Sequence, residues 1–193
     1  DKENVNILYE RAKKMAEGAS MMANVDFELK LISGIYEIIP NRFGAKIIQK
    51  NFELLGDIEY SNNEIEYANT ILKETKKELK GIDGKIKPIK PTIPAQGGST
   101  DVGDVSQVVP VVRLGVTTAA KDGPWHSWAV VACTGMSIGH KGMIYASKSL
   151  AMTMLDLYEK PQLIEGVKKE FLERKGDKTY VPQIPAGPPK LID

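Results

Sequence analysis

The stretch GPWHSW places His126 between Trp125 and Trp128, and it uses one of only 2 histidines in the chain. Upstream, GGSTDVGD carries Asp101 and Asp104 among glycines; downstream, IGHKGM carries His140. Imidazoles and carboxylates are the side chains that ligate transition metals and move protons near neutral pH. A zinc-type catalytic centre takes about three protein donors and keeps one position open. No HxD, HExxH or CxxC spacing supplies such a set here. If His126 is a ligand, its partners come from elsewhere. The plainer reading of each histidine is a packed or surface side chain, and His140 also suits a helix terminus. Cys133, in the apolar run AVVACTG, reads as a buried thiol rather than an activated one. No lysine follows the glycines of GGSTDVGD at the spacing of a phosphate-binding loop.

The elements that must position these residues come from periodicity. From Asn4 to Met22, Val5, Leu8, Ala12, Met15, Ala19 and Met22 recur at three- and four-residue steps, the pattern of an amphipathic helix. In VDFELKLISG, Val25, Phe27, Leu29 and Leu31 alternate with Asp26, Glu28 and Lys30, which predicts a strand with one covered face. A second helical pattern carries Phe43, Ile47, Ile48, Phe52 and Leu55, with Gly56 placed as a C-cap. Ser61 and Glu64 have the capping-box spacing, opening a third helix expected to reach Leu79. The run 81–98, with three prolines, predicts a surface connector. Val108 to Val116, nearly all apolar and β-branched, predicts a strand, with Pro110 favouring an edge or a strand start. Helices are expected over Gly142 to Tyr158 and Pro161 to Glu173, and the proline-rich tail YVPQIPAGPPKLID is expected to lie extended. This interleaving predicts an α/β fold.

Composition bounds the partners. Lys plus Arg at 26 against Asp plus Glu at 25 leaves a formal charge of +1, so no global field points to nucleic acid or an anionic membrane. The longest apolar runs fall far short of the roughly 20 residues that span a bilayer, and no basic-then-apolar leader opens the chain. One cysteine cannot form an internal disulfide. The expected location is cytoplasmic.

The stretches GSTDVGDVSQVVP, PWHSW, SIGHKGMIYASKSLAMTMLDLYEKPQLIEGVKKEF and the ending YVPQIPAGPP resemble, in that order, the C-terminal third of the peptidase M20 family, in its aminobenzoyl-glutamate hydrolase branch. LYERAKKMAEGASMMANVDFEL and GIYEIIPN resemble the end of that family's lid domain and its return to the catalytic domain. The resemblance implies the C-terminal part of a phosphorylase/hydrolase-like α/β catalytic domain over 42–193, and the second half of an α/β lid over 1–41. It implies a parent enzyme that holds two divalent metal ions, zinc or manganese, and hydrolyses the amide bond of N-acyl or aryl-amide amino acids or small dipeptides. The lid implies a homo- or heterodimer.

Residue by residue, His126 matches the family's C-terminal metal-binding histidine. Asn41 in PNR matches an asparagine at the lid exit, close to substrate. Asp101 falls at the GSxD position, where it shapes the site, and His140 is carried as a further site-shaping residue. The family's remaining metal ligands, and the glutamate that acts as general base, match nothing in these 193 residues. The chain is therefore expected to be the C-terminal portion of such an enzyme and inactive alone. The alternative expectation is a non-catalytic interaction or dimerisation module, since an unpaired strand edge recruits another strand.

Overall fold

The structure is a computed structural model and describes residues 1–90, 98–184 and 187. Of the expected connector, 91–97 lie outside the described residues, as do 185, 186 and 188–193 of the expected extended tail.

Among the described residues there are seven helices and no strand, which overturns the α/β expectation. Alternation shows which faces a segment would present in a sheet, whereas a strand exists only where a second backbone completes the ladder. Residues 24–33 run without regular structure, and Val25, Phe27, Leu29 and Leu31 are all exposed. The other expected strand does not form either. α4 (Val102–Val108) occupies its start and stops because Val109 precedes Pro110 and takes extended φ −132°, ψ 152°; a proline clashes with a preceding α-region residue. Residues 109–116 then continue without a partner strand.

The expected helices form because their signals are local. α1 (Lys2–Ala23) is capped by Asp1, whose side chain accepts from Asn4 N. Its apolar stripe has no buried residue, with Leu8, Met15 and Met22 exposed. α2 (Arg42–Leu55) ends at Gly56, where φ is 77°. α3 (Asn62–Glu74) opens with the Ser61–Glu64 capping box and ends five residues earlier than expected. There Lys76 N donates to Lys73 O at 3.0 Å and Lys77 N to Leu72 O at 2.8 Å, with Lys76 at φ 55°. That is a Schellman ending with lysine at the left-handed position that glycine usually fills. α5 (Trp128–Thr134), like α4, is seven residues long, too short to show a helical period. α6 (Ser137–Glu159) starts five residues before the expected helix, and α7 (Pro161–Lys175) opens on a proline, which costs no hydrogen bond in a first turn.

The chain divides into two compact units. One comprises Asn41–Ile93 and Val112–Glu170. In it α2 packs on α6, α5 on α6, and α3 on α5, around Ala68, Ile71, Leu72, Ala120, Ala129, Cys133 and Ile138. Leu72 and Ile138 are fully buried, each contributing about 1.5–3 kcal/mol by leaving water. The other comprises Asp1–Pro40, Pro94–Val111 and Phe171–Asp193. There Asp104 ties three stretches together, accepting from Tyr36 N at 3.2 Å and from the Tyr180 hydroxyl at 3.0 Å, while the Tyr36 and Tyr180 rings lie 5.2 Å apart. No helix among the described residues is long and apolar enough to cross a membrane.

Candidate functional site

The stretch leading to His126 is built from the core outward. Ala120 is buried in the core cluster, and Gly123 N returns to Ala120 O at 3.2 Å, closing a turn over Lys121 and Asp122. Asp122 and His126 both adopt left-handed backbone, at φ 58° and 55°, and Gly123, Pro124 and Trp125 lie between them. Beyond the histidine, Ser127 caps α5: its hydroxyl accepts from Ala129 N at 3.3 Å and donates to Pro124 O at 2.6 Å. A core residue and a helix cap thus bracket a tight loop that leaves His126 exposed between Trp125 and Trp128, which are 70% and 55% exposed. Both neighbouring indoles are thus largely open to solvent, as is His126.

Other residues singled out from the sequence take different places. Asn41 is buried, and both ends of its amide are used: its oxygen accepts from Gly44 N at 2.8 Å as the N-cap of α2, and its nitrogen donates to Val167 O at 2.7 Å on α7. Replacing Asn41 with alanine removes a cap worth about 1 kcal/mol and a second hydrogen bond to the Val167 carbonyl, which also lies inside α7, worth about 0.5–1.5 kcal/mol. A loss of roughly 1.5–2.5 kcal/mol in urea denaturation is the expected result. His140 is exposed in the first turn of α6. Asp101 is exposed at the head of α4, makes no side-chain cap, and falls in the other unit. Cys133 is a buried free thiol, as expected.

The strongest electrostatic feature is one the motifs only half revealed. Glu64, already the N3 residue of the capping box, accepts from Ser61 N at 2.7 Å, from the Ser137 hydroxyl at 2.7 Å and from Lys141 Nζ at 2.6 Å. Burial alone would raise its pKa; the ammonium, the hydroxyl and the backbone amide outweigh that and hold it at about 2. Next to it, burial and the Glu64 charge push the Tyr60 phenol up to about 12, and its hydroxyl donates to Thr117 O at 3.2 Å. GMSIG, residues 135–139, has the GxSxG spacing of a nucleophile elbow. Its Ser137 follows helix α5 rather than a strand and donates to Glu64, so it serves the helix junction.

A pocket of about 300 Å³ opens in the same unit as His126, lined in part by Phe52, Ile58, Tyr145 and Val116. None of Asn41, His126 and His140 lines it. Its Tyr145 hydroxyl is committed to closing α2, donating to Gly56 O at 2.8 Å and Phe52 O at 3.2 Å. For a metal the test is the donor set: among the described residues no three of His, Cys, Asp and Glu converge to hold one. The described residues do not by themselves fit a metal centre.

Among the described residues, then, His126 is exposed beside two open indoles, with no converging donor set around it. The chain is 27% identical over 207 residues to one of the subunits of the p-aminobenzoyl-glutamate hydrolase of Escherichia coli (strain K12), covering 94% of this chain and 43% of that protein. It is 40% identical over 76 residues to the Xaa-Arg dipeptidase of Mus musculus, covering 38% of this chain and 17% of that protein. Both relatives are M20 peptidases, so the likeness to that family read from the motifs is borne out. It spans less than half the length of either relative. No family model matches it, and no solved structure does.

Proposed function

We propose that the chain is part of a hydrolase of the aminoacylase and peptidase type, which cleaves the amide bond of an N-acyl or aryl-amide amino acid, such as p-aminobenzoyl-glutamate, or of a small dipeptide. The observation that carries this reading is the likeness to the aminobenzoyl-glutamate hydrolase over 94% of the chain. His126, exposed in a loop braced at both ends, supports it. In this reading residues 1–41 belong to a lid and 42–193 to the catalytic part. The complete enzyme holds two divalent ions, zinc or manganese, mainly on ligands outside this chain, and His126 contributes one donor. The chain's own residues supply that imidazole, the two indole walls and the scaffold that sets their direction.

The test is hydrolysis of p-aminobenzoyl-glutamate by the 193-residue chain and by a complete enzyme that contains it, each with added zinc or manganese. Activity is expected only from the complete enzyme. Metal-dependent turnover by the chain alone would overturn the proposal.

A second reading, a non-catalytic interaction or dimerisation module, is favoured by α1, whose apolar stripe has no buried residue. Sedimentation separates the two readings. A dimer that persists when the complete protein shows no hydrolysis supports the module; a monomer with full activity removes it.

A further inference from the structure

We propose that Asp83 is a positioning residue that fixes the stretch 117–123 and thereby the place from which His126 is presented. This rests on the reading of His126 above. The loop has two residues in left-handed backbone, Asp122 and His126; such conformations are costly for non-glycine residues and persist only where the surroundings over-determine them. The far end is held by the Ser127 cap. The near end is held by the segment 80–83, and Asp83 holds it twice. Its backbone carbonyl accepts from the Thr117 hydroxyl at 2.5 Å, and its carboxylate meets Lys121 Nζ at 3.3 Å.

The carboxylate has other ties that keep it in place. Asp83 Oδ2 also meets Lys87 Nζ at 3.0 Å, and Oδ1 accepts from Lys85 N at 3.3 Å. Its side chain is only 16% exposed, against 62% for the neighbouring Asp122, which pairs with Lys80 at 2.9 Å. An isolated exposed pair contributes little, whereas a shielded carboxylate shared by two ammoniums and an amide acts as a network. The segment is itself anchored: Gly81 N donates to Asn69 Oδ1 on α3 at 2.9 Å, Lys121 N donates to Gly81 O at 2.9 Å, and Ile58 N donates to Gly84 O at 3.0 Å. A continuous path therefore runs from α3 through Gly81 and Asp83 to Lys121, five residues before the histidine. None of these groups touches the substrate in this reading; they act through the loop.

The test uses the complete enzyme carrying Asp83→Asn, Lys121→Met or His126→Asn, with amide hydrogen exchange measured on peptides covering 117–127. Asp83→Asn is expected to raise exchange there about tenfold while peptides from α3 and α6 keep the parental rate. Lys121→Met is expected to give part of that rise. With His126 displaced, kcat for p-aminobenzoyl-glutamate should fall about tenfold or more with KM little changed, since small misplacements at a reacting centre cost rate. If Asp83→Asn does not fold, Lys121→Met carries the test. Parental exchange in 117–127, or a rise spread evenly over the whole unit, overturns the proposal. Should His126→Asn hydrolyse at the parental rate, the reading of His126 falls, while the exchange data still decide whether Asp83 holds the loop.

Discussion

Replacing His126 with asparagine in the complete enzyme is expected to lower hydrolysis of p-aminobenzoyl-glutamate by roughly 10²–10⁴-fold, the loss typical when a group at the reacting centre is removed. The melting temperature is expected to stay within about 2 °C, because under 1 kcal/mol is at stake. Asparagine is the substitution of choice because His126 sits at φ 55°, a region that asparagine tolerates better than alanine. The ring is exposed and follows a turn closed by Gly123 and precedes a cap made by Ser127, so the loop does not depend on it for its shape. Thermal unfolding and steady-state kinetics on one preparation decide the matter. Lost activity with a melting point lowered by about 10 °C would make His126 a structural residue; full activity would remove it from the site.

The largest effect on stability is expected at Glu64. Glutamine in its place cannot balance the Lys141 ammonium, and it donates from one end where the carboxylate accepts with both. Removing one partner of a buried pair costs about 3–5 kcal/mol; Lys141 is 40% exposed, which reduces the expected loss to about 2–3 kcal/mol. The same group makes folding acid-sensitive in a defined window. Its folded pKa, about 2, lies below the ordinary carboxylate value of 4.5. The stabilisation is therefore fully present above about pH 4.5 and is lost as pH falls from 4.5 toward 2. Urea denaturation of the parent from pH 6 down to about 2.5 should show a loss of roughly 2 kcal/mol attributable to this residue, absent from the Glu64→Gln variant. Parallel stability–pH curves for the two proteins would contradict the assignment.

These two residues show how differently the site and the scaffold could be read. His126 stands out in sequence because imidazole between two indoles is a local, chemically unusual pattern. Glu64 was legible only as a capping-box residue, since that role needs Ser61, three positions away. Its heavier duty depends on Ser137 and Lys141, which are 73 and 77 positions distant. Asn41 shows the same limit. Its motif position suggests a place near substrate, yet its amide nitrogen is spent on Val167, 126 residues away. Asp83 had no signal at all, because an aspartate in a lysine-rich connector looks like solvated charge until Thr117 and Lys121 are brought to it.

Helix and sheet divide along the same line. α1, α2, α3, α6 and α7 follow from the sequence by itself, through apolar period, Ser61, Gly56 and Pro161, because a helix closes its hydrogen bonds within one segment. The four-residue step also forecast one face of α1, but not that this face would have no buried residue. Strands could not be settled that way. Val25 to Leu31 and Val109 to Val116 have the composition of strands, yet a ladder needs a second backbone at about 4.8 Å, and among the described residues none pairs with them. Only the tertiary structure decided that, and only it decided which charges are shielded enough to matter. A side chain's chemistry is written in the sequence, whereas its dielectric surroundings and its partners are set by segments that the chain folds alongside it.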